Sequence, residues 1–145
     1  GGFVHTFMLA KRRAPGSQAV AADAAFFSLP DTQQAYPFGL LNSPYDESRI
    51  DDWLTQPLVF MLGDQDMGPR TKAISNSNKA NQQGRNVFSR GLSFYAHAMN
   101  VAVERDVSPH WHLEIVRGVG HSSTKIVPYA FKYLFPEFNK GNEEK

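Results

Sequence analysis

Pro57-Leu58-Val59-Phe60-Met61-Leu62-Gly63-Asp64-Gln65-Asp66 is the stretch that decides the fold. Five apolar residues run without a polar interruption between a proline and a glycine. That is long enough for a strand, too short for a helix, and marks a strand covered on both faces. Such a strand belongs to a parallel sheet with helices on either side. Two acids follow it at once, Asp64 and Asp66.

Downstream, 76–86 is polar and reads as a loop or the exposed edge of a helix. Val87, Phe88, Leu92, Tyr95, Ala96, Met99 and Val103 then form a strong helical stripe that ends near Asp106, before Ser108-Pro109. Trp111, Leu113, Ile115 and Val116 predict a further strand, closed by Gly118 and Gly120, and 123–135 predicts a last helix before a polar tail at 139–145. Upstream, 19–22 is a short apolar run of small residues, read as another buried strand. Phe3, Val4, Phe7 and Met8 carry the stripe of a helix, with Lys11, Arg12 and Arg13 suited to its last turn and Pro15-Gly16 stopping it. Between 23 and 53 the pattern dissolves into prolines among Phe26, Phe27, Tyr36, Phe38 and Tyr45, which predicts a loop or lid-like segment. Strands alternating with helices give an α/β class with about three parallel strands. So thin a parallel sheet is expected to be part of a larger one, and residues 1–145 read as a portion of a single domain.

Composition removes several function classes. With 15 Lys and Arg against 14 Asp and Glu, the formal net charge is +1, and no basic surplus favours a nucleic-acid partner. At 41% hydrophobic residues, with 11 Phe, 5 Tyr and 2 Trp, the chain can fill a core. Zero cysteines exclude disulfides, a thiol nucleophile and thiolate metal sites. No apolar run approaches the roughly 20 residues of a membrane span. At the N-terminus the charge follows the apolar stretch, the reverse of a secretory signal, and the first residue is not Met, which suggests that the natural chain begins earlier.

In an open parallel sheet, function gathers beyond the carboxyl ends of the strands. Two such ends are chemically loaded here, Gly63-Asp64-Gln65-Asp66 and Gly118-Val119-Gly120-His121-Ser122. A carboxylate followed by a histidine fits the later two members of a nucleophile–acid–base triad, in which the acid fixes the imidazole tautomer and stabilises its charged form. Pattern alone leaves other readings open. Either aspartate serves equally well as a turn or cap former. His110 and His112 place two imidazoles at the start of a strand, where a metal would need a third ligand. His5 and His97 sit within helical patterns as packing or hydrogen-bonding residues, and Ser122 and Ser123 suit the start of the last helix.

The segments Gly1-Gly2-Phe3-Val4-His5, Ala19-Val20-Ala21-Ala22-Asp23-Ala24, Tyr36-Pro37-Phe38-Gly39-Leu40, Leu62-Gly63-Asp64-Gln65-Asp66 and Gly118-Val119-Gly120-His121 together resemble the C-terminal half of an α/β-hydrolase. The branch they resemble is that of esterases similar to polyhydroxyalkanoate depolymerases. The resemblance implies a serine in a G-x-S-x-G elbow, followed in sequence by the acid and then the histidine. Gly1-Gly2 resembles the glycines just after that serine, which would put the nucleophile and the usual oxyanion amides upstream of Gly1. It further implies Asp66 as the acid, with Asp64 as competitor, and His121 as the base. Phe27 and Phe38, beside Phe26 and Tyr36, would lie near the acyl pocket.

The expected function is therefore hydrolysis of a small-molecule carboxylic ester through an acyl-enzyme, with the upstream half of the same domain as partner and with neither cofactor nor metal. The alternative is a binding module that keeps the fold without a nucleophile. A chelator-sensitive hydrolase using His110 and His112 is a third reading.

Overall fold

The computed structural model describes residues 18–69 and 74–138. The expected helix over Phe3 to Met8, Gly1-Gly2, His5, the basic run at 11–13 and the polar tail lie outside the described residues. In chain order the elements are β1 (Ala19–Ala22), α1 (Arg49–Thr55), β2 (Leu58–Gly63), a 3-10 turn (Ile74–Asn76), α2 (Asn78–Gln83), α3 (Val87–Glu104), β3 (Trp111–Val116), α4 (Ser123–Leu134) and a second 3-10 turn (Pro136–Phe138). The class is α/β.

All three strands are parallel, in the order β1-β2-β3. Ala19 pairs with Leu58 and Ala22 with Met61, while Leu58 pairs with Trp111 and Gly63 with Val116. The register brings the ends of β2 and β3 level, so the residues just beyond them emerge side by side. Every residue of β2 is buried. Its period-two alternation sends Leu58, Phe60 and Leu62 to one face and Val59 and Met61 to the other.

The first face holds the larger core, with Ile50, Trp53 and Leu54 of α1 and Phe94, Ala98 and Ala102 of α3. Phe94 stacks against Phe27 and Trp111, with ring centroids 4.7 and 5.7 Å apart. Helix α3 approaches β2 closely at Gly91, where an added Cβ would stand 2.3 Å from a Leu62 methyl. Its start is fixed by a capping box: Asn86 Oδ1 accepts from the Ser89 N–H (2.8 Å) and Ser89 Oγ accepts from the Asn86 N–H (3.2 Å). The opposite face is thinner, and there Ile126 and Ala130 of α4 cover Val59 and Met61.

Of the segment 23–53, read from the sequence as loop or lid-like, the part before residue 49 is irregular. Residues 49–55 are helical, and Ile50, Trp53 and Leu54, at the i, i+3, i+4 spacing, are fully buried. The irregular part before them is packed down too. Gln83, buried in α2, accepts from the Phe27 N–H through Oε1 (2.9 Å) and donates from Nε2 to the Phe27 carbonyl (2.6 Å). A side-chain amide thus pairs with the backbone as a neighbouring strand would. Ser28 Oγ donates to the Pro37 carbonyl at 2.7 Å, and the Leu29 N–H donates to that of Phe38 at 2.9 Å. This segment is a structural layer. Residues 76–86, left as loop or helix edge by the sequence, contain α2.

On the outer side of β3, Glu114 accepts from Tyr133 Oη (2.6 Å) and Lys132 Nζ (3.2 Å) of α4. The Tyr133 hydroxyl, then Lys132 and His112, hold the Glu114 carboxyl below its ordinary pKa near 4.5, against a smaller opposing effect of burial. A group whose folded pKa is depressed adds stability above its unfolded pKa and loses it as pH falls through the folded one. Tyr133→Phe is therefore expected to lower Tm at pH 7, with its difference from wild type shrinking as pH falls from about 4.5 through the depressed folded pKa. Melting curves of both proteins from pH 7 down to pH 3 check this; a Tm gap independent of pH would contradict it.

Candidate active site

The turns after β2 and β3 are fastened to each other. The Asp64 N–H donates to the Val116 carbonyl at 3.1 Å, and the Gln65 N–H to that of Val119 at 2.9 Å. Asp64 Oδ1 accepts from the Gly118 N–H at 2.7 Å. Gly118 sits at φ 72°, in the left-handed region that favours glycine. Gly63 lies so close under the second turn that a Cβ would stand 2.3 Å from the Val119 carbonyl oxygen, and backbone leaves no room to yield. Gly63→Ala is expected to destabilise the fold by about 2 kcal/mol or more. Chemical denaturation would measure it, and a loss under about 0.5 kcal/mol would contradict the close approach.

Out of this joined pair of turns come Asp66 and His121. His121 Nδ1 lies 2.7 Å from Asp66 Oδ2. The Asp66 side chain is 2% exposed and that of His121 44%. A buried carboxylate facing Nδ1 keeps the proton on that nitrogen, so Nε2, on the opposite edge of the ring, carries the lone pair. Asp66 is itself held from the far side, because its carbonyl accepts the Phe88 N–H from the first turn of α3 at 3.1 Å. The structure thus brings His121 together with Asp66. Asp64 points elsewhere, to the Gly118 amide and to Gln65 Nε2 (3.1 Å), which is a turn-forming role.

A cavity of about 200 Å³ opens beside His121, lined by Ala22, Asp23, His121, Ser122, Ser123 and Ile126. A larger hollow, about 410 Å³, lies between α1, α3 and residues 30–33 and contains neither Asp66 nor His121. The smaller cavity is the one onto which the His121 ring of the acid–imidazole pair opens.

Neither Phe27 nor Phe38 is among the residues that line that cavity. Phe27 is 1% exposed, with its ring against Phe94 and Phe60, so it is a core residue. Phe38 is 9% exposed and packs on Phe26 at 5.0 Å. Ser122 occupies the N-cap position of α4 without a side-chain capping bond. His112 reaches Glu114 at 3.4 Å, and no group of three or more possible metal ligands exists among the described residues. No described helix is long and apolar enough to cross a membrane.

Sequence reasoning missed Asp23 and Arg90. Asp23 ends β1 at φ 44° and accepts from the Gly63 N–H through Oδ1 at 3.2 Å. Its signal was an acid directly after an apolar run, the same signal that singled out Asp64 and Asp66. Arg90 is fully buried in α3, and nothing in the helical stripe marks a buried cation.

No family model matches the chain, and no curated protein matches it. Solved structures do. Poly(aspartic acid) hydrolase-1 from Sphingomonas sp. KT-1 superposes with a TM-score of 0.85 at 34% identity, over 93% of this chain and 52% of that one. LpqC, a poly(3-hydroxybutyrate) depolymerase from Bordetella parapertussis, superposes with a TM-score of 0.84 at 26% identity, over 94% of this chain and 47% of that one. The chain therefore spans about half the length of each. Its fold is of the α/β-hydrolase type.

Proposed function

We propose that this portion of an α/β-hydrolase fold supplies the acid and the base of a Ser–His–Asp site that hydrolyses a carboxylic ester through an acyl-enzyme. The observation that carries the reading is the 2.7 Å contact between His121 Nδ1 and the buried Asp66 carboxylate, at the carboxyl ends of adjacent parallel strands. The nucleophile is a serine upstream of Gly1, in the other half of the same domain. The chain's share of the solved neighbours' length supports that division. So do the exposed rings of Phe131, Phe135 and Phe138, clustered with centroids 4.8 to 6.4 Å apart. An exposed aromatic cluster of this kind suits a face meant to be covered.

The chemistry follows from the geometry. His121 Nε2 takes the proton of the attacking hydroxyl as the serine oxygen bonds to the acyl carbon. Asp66 holds the ring in the required tautomer and stabilises the imidazolium while it lasts. The same proton then passes from Nε2 to the departing alkoxide. In the second half-reaction His121 deprotonates water, which attacks the acyl-enzyme and releases the acid and the serine. The names of the two neighbours, one a depolymerase of poly(3-hydroxybutyrate) and one a hydrolase of poly(aspartic acid), are both consistent with attack on an acyl carbon.

The test is to incubate the full-length protein with a short-chain ester and with a serine-directed fluorophosphonate. Ester cleavage, together with labelling of one serine in a G-x-S-x-G upstream of Gly1, is the expected result. A non-nucleophilic residue at that position, with no cleavage, would leave a binding module instead.

A further inference from the structure

We propose that Asp23 is a positioning residue of this site: its carboxylate holds the turn that leads to Asp66 and adds a second negative charge beside the His121 imidazole. The proposal rests on His121 acting as the base.

Three observations converge on Asp23. Its backbone stands in the left-handed region at φ 44°, which a side chain tolerates at a cost and which aspartate and asparagine tolerate best. Such a conformation at the mouth of a site is a reason to ask what the side chain is aimed at. The side chain is aimed at β2: Oδ1 accepts the N–H of Gly63, the last residue before the turn that carries Asp66. Finally, Asp23 and His121 line the same cavity of about 200 Å³.

Burial first, and then the charge of Asp66, push the Asp23 carboxyl above its ordinary pKa; the Gly63 amide and His121 act in the opposite direction. Asp23, Asp66 and His121 therefore form one electrostatic group. Among the described residues, the charged groups around His121 come from each element packed there. Asp23 comes from the end of β1 and Asp66 from the turn after β2, while the exposed Arg117 and Lys125 flank it on its own segment. Asp64, in the same turn as Asp66, is bound to the Gly118 N–H.

Two carboxylates beside one imidazole favour its protonated form. Asp66 acts through a direct bond. Asp23 acts through space, so its effect can be removed without touching the His121–Asp66 contact. In the reaction the same charge stabilises the imidazolium that forms as the serine loses its proton.

The experiment is an NMR titration of the His121 ring in the full-length protein, with His121→Gln identifying its signal, for wild type, Asp23→Asn and Asp23→Glu. Asparagine keeps an oxygen for the Gly63 N–H and the tolerance of a left-handed backbone but carries no charge. The expected result is that Asp23→Asn lowers the His121 midpoint by about half a pH unit or more, while Asp23→Glu keeps it near the wild-type value. The acid limb of kcat/KM for an ester should move by the same amount and in the same direction. An unchanged midpoint in Asp23→Asn would overturn the proposal, whatever happens to the rate. Absence of ester cleavage by wild type would instead overturn the esterase reading, and the titration would still report on Asp23.

Discussion

Replacing His121 by alanine in the full-length protein is expected to lower kcat for ester hydrolysis by about three to six orders of magnitude, with little change in Tm. The ring is half exposed and its described bond is the one to Asp66, so the fold loses little when it goes. The reaction loses the imidazole that lines the cavity. Triad members act as a unit, and the rate that survives such a loss reflects oxyanion stabilisation and binding alone. Asp66→Asn should cost about 10⁴-fold, because an amide facing Nδ1 favours the wrong tautomer. Asp64→Asn should cost less than about tenfold, since its remaining oxygen still accepts the Gly118 N–H. Steady-state kinetics on the three variants check the assignment. Retention of more than a tenth of the wild-type kcat in His121→Ala would overturn it, and a larger loss in Asp64→Asn than in Asp66→Asn would name the other carboxylate.

Arg90→Met is expected to cost about 3 to 5 kcal/mol of stability, the largest effect of any single change distant from the acid–base pair. The guanidinium is fully buried and donates from Nε to the Gly84 carbonyl (2.8 Å), from one terminal nitrogen to Ala25 (2.6 Å) and Ser75 (2.7 Å), and from the other to Asn81 Oδ1 (2.8 Å). It gathers the segment after β1, the 3-10 turn and the C-terminal half of α2 with its cap onto α3. Methionine fills much of the volume but donates nothing, so several oxygens lose a charged donor at once. Lysine would not restore the fork, because one ammonium cannot reach acceptors spread over that plane. Urea denaturation of both variants checks the magnitude. A loss under about 1 kcal/mol would show that water replaces the guanidinium.

The strands and the long helices were legible because burial there is written in hydrophobic periodicity. Leu58 to Leu62 could only be a covered strand, and the stripe from Val87 to Val103 could only be a helix with one face inside. Helix α1 carried the same signal in short form, Ile50, Trp53 and Leu54, but lay within a proline-rich aromatic stretch that drew attention to the rings instead. Helix α2 was hidden for a different reason. It buries Gln83 through hydrogen bonds, and polar burial has no hydrophobic period to read. Phe27 and Phe38 show the limit of composition: an aromatic residue in an irregular segment is equally suited to a pocket wall and to a core, and only the structure shows that both rings are buried. The choice between Asp64 and Asp66 was open in the sequence, since two acids one residue apart share the same pattern. In the structure they part by direction, because alternate residues of the turn meet the Gly118 amide and the His121 ring.

The hydrogen bond from the Phe88 N–H to the Asp66 carbonyl has a consequence for how this part of the chain can vary. Residues 66 and 88 meet, so the chain just after Asp66 leaves the scaffold at the point where α3 begins. Residues 67–69 are exposed, so length can be added there without displacing a buried residue. The entropic charge for a longer excursion grows slowly, by about 0.6 kcal/mol for each doubling. Insertions there should be inherited easily, altering what surrounds the site while the acid–base spacing stays constant. In lineages that share this scaffold, the stretch just after Asp66 is where lengths should diverge first, and a peptide tag grafted between residues 68 and 69 should leave the pair intact.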